Sequence, residues 1–160
     1  MLYYKLYYQY QRYFPLTRYS SFMVNGEFGY GDGYNDKPLP FFKNFFAGGV
    51  NSVRGFDSYT IGPKDSNGDP TGGPRKLLGN AELLFPFPGL QNDRSVRVSA
   101  FVDSAVVGEK IELDQLRVST GMALLWVSPI GPLKISIAVP VRSEPSDQLQ
   151  KFQFTIGGIF

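Results

Sequence analysis

The sequence predicts an all-β protein, an antiparallel transmembrane β-barrel of about seven strands. Three features favour this fold: alternation of apolar and polar side chains, abundant aromatic residues, and connections of alternating length. Tyr and Phe contribute 10 and 14 of the 160 residues, and 18 Gly and 12 Pro supply the residues that turns require. Because successive side chains of a strand point to opposite faces, each alternating segment presents one apolar and one polar face.

Seven segments alternate over the length that a tilted membrane strand needs, which is roughly 9 to 11 residues. In the clearest of them, Val98 and Val102 share the apolar face and Asp103 falls on the polar face. Such segments suit an antiparallel sheet that meets water on one side only. The predicted strands cover about 2–14, 19–30, 76–85, 95–106, 117–127, 132–140 and 151–160.

The last of these segments carries an aromatic row. An outer-membrane barrel turns its apolar face to lipid and places aromatic side chains at the membrane interfaces, so the row predicts a membrane strand. Glycine packs poorly in a strand, and we expect Gly157 and Gly158 to weaken its pairing. Gly158 also falls where an apolar, lipid-facing residue is expected. The apolar positions of the row are Phe152, Phe154, Ile156 and Phe160.

The connections between segments alternate in length. Long connections on one side and short turns on the other are typical of outer-membrane barrels, with the short turns in the periplasm. A β-sandwich in water also alternates, but it requires neither aromatic strand ends nor this asymmetry. The pattern therefore favours the outer membrane. Short connections lie at Pro15, 86–89 and 128–132, and long ones at 31–75, 107–116 and 140–150.

Composition argues against several functions. Cys and His are absent, so disulfides, thiol chemistry and the usual zinc ligands are excluded. The run 65–69 is similar to the start of a calcium loop, but Lys76 stands at its twelfth position, where a glutamate is needed. We therefore expect no metal, no cofactor and no catalytic site. A net charge of +2 without a long basic run gives no reason to expect nucleic acid.

The chain also lacks two patterns of membrane targeting. No window contains the roughly 18 consecutive apolar residues of a spanning helix. The first residues show no basic leader, apolar core and cleavage site, so they are not expected to form a signal peptide. We expect the chain to be cut from a longer exported protein.

The 31–75 connection is long enough to be functional or disordered rather than a simple turn. It contains Ala-Gly-Gly at 47–49 and, shortly after, Val53-Arg54-Gly55-Phe56. With 61–64, the turn at 126–133 and the terminal Phe-Gln-Phe, these segments resemble the BamA-type outer-membrane barrel-assembly family. Four separated motifs in the order of that family make the resemblance specific.

The resemblance implies a site at this loop. In that family the loop folds into the barrel, and its arginine meets acidic residues of the inner wall; the matching residues here are Arg54, Glu82 and Asp103. Alternation alone also places both carboxylates on the polar face. A guanidinium offers a planar fork of donors that lysine cannot reproduce. Gly55 permits a close backbone approach, and Phe56 is expected to wedge the loop against the wall.

The resemblance further implies a function. The chain would be the C-terminal half of a larger barrel, without the N-terminal half and the periplasmic POTRA domains. It would act in assembly and insertion of β-barrel proteins into the bacterial outer membrane, and not as an enzyme. Its partners would be outer-membrane lipid, unfolded β-barrel client proteins, and accessory lipoproteins that reach it through the POTRA domains. The 151–160 strand would form the seam at which the barrel opens.

Two other classes stay open. A related secretion pore of the same superfamily shares an arginine-glycine loop motif, although the match through 126–133 favours assembly. A porin-like barrel would not need the long loop, and conductance would distinguish it.

Overall fold

The computed structural model describes residues 2–49, 52–87, 89, 95–145 and 147–156. Seven strands form one antiparallel sheet, and two short strands form a second. Among the residues described, no helix is long and apolar enough to cross a membrane. The strands are Tyr3–Pro15 (β1), Ser21–Gly33 (β2), Gly55–Phe56 (β3), Arg75–Pro86 (β4), Val96–Gly108 (β5), Arg117–Ser128 (β6), Gly131–Arg142 (β7), Leu149–Gln150 (β8) and Phe152–Ile156 (β9).

The order of the large sheet is β1-β2-β4-β5-β6-β7-β9, so each long strand pairs with the next long strand in sequence. The seven predicted segments are confirmed, but several extend further than alternation indicated. Gly33 pairs with Tyr3 and Gly108 pairs with Arg75, because backbone pairing continues where glycine interrupts the side-chain pattern. The long connections are accordingly shorter than predicted. Gly157, Gly158 and Phe160 lie outside the described residues.

The two faces of the sheet differ as predicted. One face exposes large apolar side chains, and the other carries Asn80, Glu82, Asp103 and Gln153. Within the described residues the sheet stays open, with no further strand on the outer edges of β1 and β9. Exposed apolar side chains of the outer face include Leu6, Tyr8, Val102, Met122, Trp126, Ile137, Phe152 and Phe154.

The connection between β2 and β4 lies against the polar face. It contains a one-turn 3₁₀ helix at Phe41–Lys43, and antiparallel bridges join its two arms at Phe45–Gly73 and Ala47–Ile61. Apolar side chains of this connection pack on apolar side chains of β4 and β5. Alternation predicted one polar face for each strand, and at this dry patch β4 and β5 also carry apolar side chains on that face. The patch consists of Ala47, Val53, Phe56, Ile61, Leu78, Ala105 and Val107.

Candidate functional site: an arginine loop docked on the barrel wall

The backbone of the Val53-Arg54-Gly55-Phe56 motif lies close to the wall formed by β6 and β7. Gly55 has a φ of 96°, a conformation that favours glycine. A Cβ at this position would lie 3.1 Å from the Cβ of Ala138 and 3.5 Å from that of Ser119. The motif can approach the wall because it has a glycine here and the wall has small side chains opposite.

Arg54 binds Asp103 of β5 through both its side chain and its backbone. Its Nε donates to Oδ2 of Asp103 at 2.7 Å and its Nη2 to Oδ1 at 2.9 Å, while the Arg54 backbone N–H donates to Oδ2 at 3.0 Å. Arg54 is 4% exposed and Asp103 is fully buried. The two-pronged geometry is the one that the guanidinium fork allows and that a lysine ammonium does not.

Glu82 and Phe101 complete the surroundings of the guanidinium. Nη1 of Arg54 lies 3.3 Å from Oε1 of Glu82, and the guanidinium carbon lies 3.6 Å from the centre of the Phe101 ring. Burial lowers the pKa of Arg54, but the hydrogen bonds and charges of Asp103 and Glu82 outweigh burial and raise that pKa above its ordinary value. The arginine therefore stays charged while it is docked.

Asn80 links the wall to the loop, and sequence reasoning did not assign it to the site. Its Nδ2 donates to Oδ1 of Asp103 at 2.8 Å and to the carbonyl oxygen of Ser52 at 2.9 Å. Asn25 donates to Oδ1 of Asn80 at 2.8 Å. Asn80 lies opposite Asp103 in the strand register, so the antiparallel pairing of β4 and β5 sets its position.

The aromatic residue of the motif packs beside this polar network. Phe56 and Val53 are fully buried, and both belong to the dry patch under the loop. Phe56 thus belongs to one buried apolar cluster with Leu78, Ala105 and Val107. Arg54 also lines a polar cavity of about 350 Å³, together with Tyr7, Glu27 and Lys134.

The terminal-strand residues predicted from sequence lie apart from Arg54. Phe152, Phe154 and Ile156 are exposed on the outer face of β9. Gln153 between them points inward and contacts the motif, a residue that sequence reasoning left unassigned. Its position in an alternating strand showed which face it occupies, but no local pattern could identify its partner.

A second ion cluster joins the start of β6 to two connections. Asp147 accepts hydrogen bonds from Nε and Nη2 of Arg117, both at 3.1 Å, and Nζ of Lys64 lies 3.8 Å from its Oδ1. The Asp147 side chain is 1% exposed. Sequence reasoning missed this cluster because its members are far apart in the sequence. No described group of acidic side chains is arranged to hold a metal ion.

We expect Asp147→Asn to loosen these connections without unfolding the sheet. A hydrogen bond to a charged group contributes roughly 1.5–3 kcal/mol, and the substitution leaves Arg117 buried beside a neutral group. Amide hydrogen exchange should rise in 109–116 and 60–66 and stay unchanged in the middle of β6. Asp69→Asn, which removes an exposed carboxylate from the same connection as Lys64, is the matched control. Equal exchange in the two variants would contradict a clamp at Asp147.

The two carboxylates should couple to Arg54 to different degrees. Asp103 is fully buried and makes two close bonds to the guanidinium, whereas Glu82 makes one longer contact. Double-mutant cycles for the free energy of unfolding should give roughly 2–3 kcal/mol for Arg54–Asp103 and about 0.5–1 kcal/mol for Arg54–Glu82. The reverse order would contradict this geometry.

An open sheet with a lipid-compatible outer face and an arginine loop docked on its inner face defines a class of membrane β-barrel. The Omp85 superfamily domain matches residues 1–160. The outer membrane protein assembly factor BamA of Neisseria meningitidis serogroup B is 38% identical over 180 residues, which cover 92% of this chain and 23% of that protein. BamA of Nitratidesulfovibrio vulgaris is 31% identical and is covered over 18% of its length.

The fold gives the same result. The crystal structure of BamA from Haemophilus ducreyi lacking POTRA domains 1–3 superposes with a TM-score of 0.88 at 30% identity, covering 97% of this chain and 35% of that one. The chain belongs to the Omp85 superfamily, which confirms the predicted family, the β-barrel fold class and the outer membrane as its location. It spans less than a quarter of the length of the two curated relatives.

Proposed function

We propose that this chain acts within an assembly factor that inserts β-barrel proteins into the bacterial outer membrane, and that it does so without enzymatic chemistry. Relatives from two bacterial species carry the name of outer membrane protein assembly factor. The observation that carries the proposal is the docking of Arg54 on Asp103. The loop is fixed on the polar face of the sheet, which a porin-like barrel does not need, and the names of the relatives favour assembly over a secretion pore.

The proposed mechanism relies on backbone pairing. In the hydrocarbon core each unpaired N–H or C=O group costs several kcal/mol, so an unfolded membrane strand cannot enter alone. A strand edge offers such groups a complementary row of partners. In this proposal the wall of the barrel templates a client strand, and the docked loop holds the wall in the geometry that pairing requires.

We expect three kinds of partner, of which the first follows from the apolar face of the sheet. The exposed row that includes Val102, Met122 and Phe152 fits outer-membrane lipid, because only an apolar surface is stable there. Unfolded β-barrel proteins are the proposed clients. Accessory lipoproteins, bound through POTRA domains, are proposed from the resemblance to the barrel-assembly family and not from a described contact.

Insertion of a client into vesicles tests this function. The protein is reconstituted in lipid vesicles, a urea-denatured outer-membrane barrel protein is added, and its folded, protease-resistant form is measured over time. We expect faster folding than in empty vesicles, and a lower rate with Arg54→Ala. Asp69→Asn serves as the control because its carboxylate is exposed and distant from the motif. Folding no faster than in empty vesicles, accompanied by ion conductance, would instead favour a pore over an assembly factor.

A further inference from the structure

Gln153 of β9 makes two hydrogen bonds to the backbone of the arginine motif. The Gly55 N–H donates to Oε1 of Gln153 at 3.3 Å, and Nε2 of Gln153 donates to the carbonyl oxygen of Phe56 at 2.8 Å. Gln153 is 4% exposed. One side-chain amide therefore satisfies a donor and an acceptor of the motif in a buried place, where an unpaired backbone group is costly.

The segment just before β9 holds the same part of the motif. The two-residue strand β3 pairs with β8, with Gly55 opposite Gln150 and Phe56 opposite Leu149. The backbone N–H of Asp57 donates to the carbonyl oxygen of Gln148 at 2.9 Å. The motif is thus bound on one side to β4 and β5 through Arg54, and on the other side to β8 and β9.

The attachment matters for β9 because the described part of this strand is short. Among the described residues it pairs with β7 over five positions, from Ile156 opposite Leu133 to Phe152 opposite Ile137. The side chains before and after Gln153, those of Phe152 and Phe154, are 58% and 52% exposed on the outer face. Gln153 is its inward contact with the loop.

We propose that Gln153 is a positioning residue that couples docking of the Arg54 loop to the order of strand β9. A coupling between two sites is reciprocal, so displacement of β9 loosens the loop and release of Arg54 loosens β9. Its role rests on the proposed function: when a client strand pairs near β9, this coupling transmits the displacement of β9 to the loop. The separate alternative is that Gln153 only fills space under the loop, in which case the two regions respond independently.

Amide hydrogen exchange of the protein in outer-membrane vesicles tests the coupling without any client. Asp103→Asn weakens the attachment of the loop to β5, a strand that is separated from β9 by two other strands. We expect the protected amides of 152–156 to exchange roughly fivefold faster in Asp103→Asn than in the unsubstituted protein. In a Gln153→Leu background, where only the backbone pairing of β3 with β8 still ties the motif to this segment, Asp103→Asn should accelerate exchange at β9 by a clearly smaller factor.

The controls separate coupling from packing. Ser136→Ala changes the residue directly opposite Gln153, and its hydroxyl has no hydrogen-bond partner among the described residues. It should leave exchange at β9 and in the loop unchanged. Gln153→Glu keeps the acceptor for the Gly55 N–H but places a carboxylate oxygen against the carbonyl oxygen of Phe56, so it should also loosen the link; it replaces the leucine variant if that variant does not fold.

The proposal is overturned if Asp103→Asn leaves β9 unchanged, or if it accelerates exchange at β9 by the same factor with and without Gln153. Either result is obtained without a client and leaves the proposed function untouched. Failure of the unsubstituted protein to insert a client would reject the proposed function and leave the coupling standing.

Discussion

Arg54→Ala is expected to release the loop from the wall and to reduce client insertion to a small fraction of its normal rate. The substitution leaves Asp103 fully buried without its counter-charge, and breaking a buried pair in this way costs roughly 3–5 kcal/mol. Protease cleavage within the connection between β2 and β4 and urea denaturation both measure the loss. The sheet itself should persist, since its backbone pairing does not depend on Arg54.

Arg54→Lys separates charge from geometry. Lysine keeps the positive charge, but its ammonium group lacks the planar fork through which Arg54 donates to both oxygens of Asp103. The hydrogen bond from the backbone N–H of residue 54 does not depend on the side chain. We expect little recovery of loop protection or insertion. A lysine variant with the full rate would show that charge alone holds the loop.

Gly55→Val is expected to produce the second large effect. The substitution places a branched side chain in a backbone conformation that L residues rarely adopt, and its Cβ meets Ala138 at 3.1 Å. Forcing extra volume into a packed contact typically costs 1–3 kcal/mol beyond the conformational strain. The loss should appear in both loop protection and insertion rate.

Gly68→Val is the matched control for this variant. Gly68 also has a positive φ, of 86°, but an added Cβ there meets nothing within 4 Å. Both variants carry the conformational strain, and only Gly55→Val carries the clash with the wall. If the two variants lost stability equally, the close approach of the motif to β7 would be wrong.

Alternation predicted the seven strands and their faces because the side-chain period of a strand is two, and a shift by one residue would turn every side chain to the other face. That same phase placed Glu82 and Asp103 on the inner face. The dry patch had a signal as well: alternation stops at Leu77-Leu78 and Val106-Val107, as it does where a strand is covered on both sides.

Other features could not be found from local sequence. The strands β3 and β8 have two residues each and exist because the chain brings them together across more than ninety positions. The partners of Gln153 and Asp147 are likewise distant in sequence. Their contacts result from how the connections fold over the inner face, and no periodic pattern records that arrangement.

Reactivity of a single engineered thiol tests the docked loop most directly. The chain contains no cysteine, so Val53→Cys introduces the only thiol in the chain, at a fully buried position of the motif. Ser66→Cys, in the exposed part of the same connection, is the accessible control. In outer-membrane vesicles we predict that Val53→Cys resists a water-soluble thiol reagent, that Ser66→Cys reacts at once, and that Asp103→Asn exposes the Val53→Cys thiol. Equal reactivity at the two positions in the otherwise unsubstituted protein would contradict a loop held inside the barrel by Arg54 and Asp103.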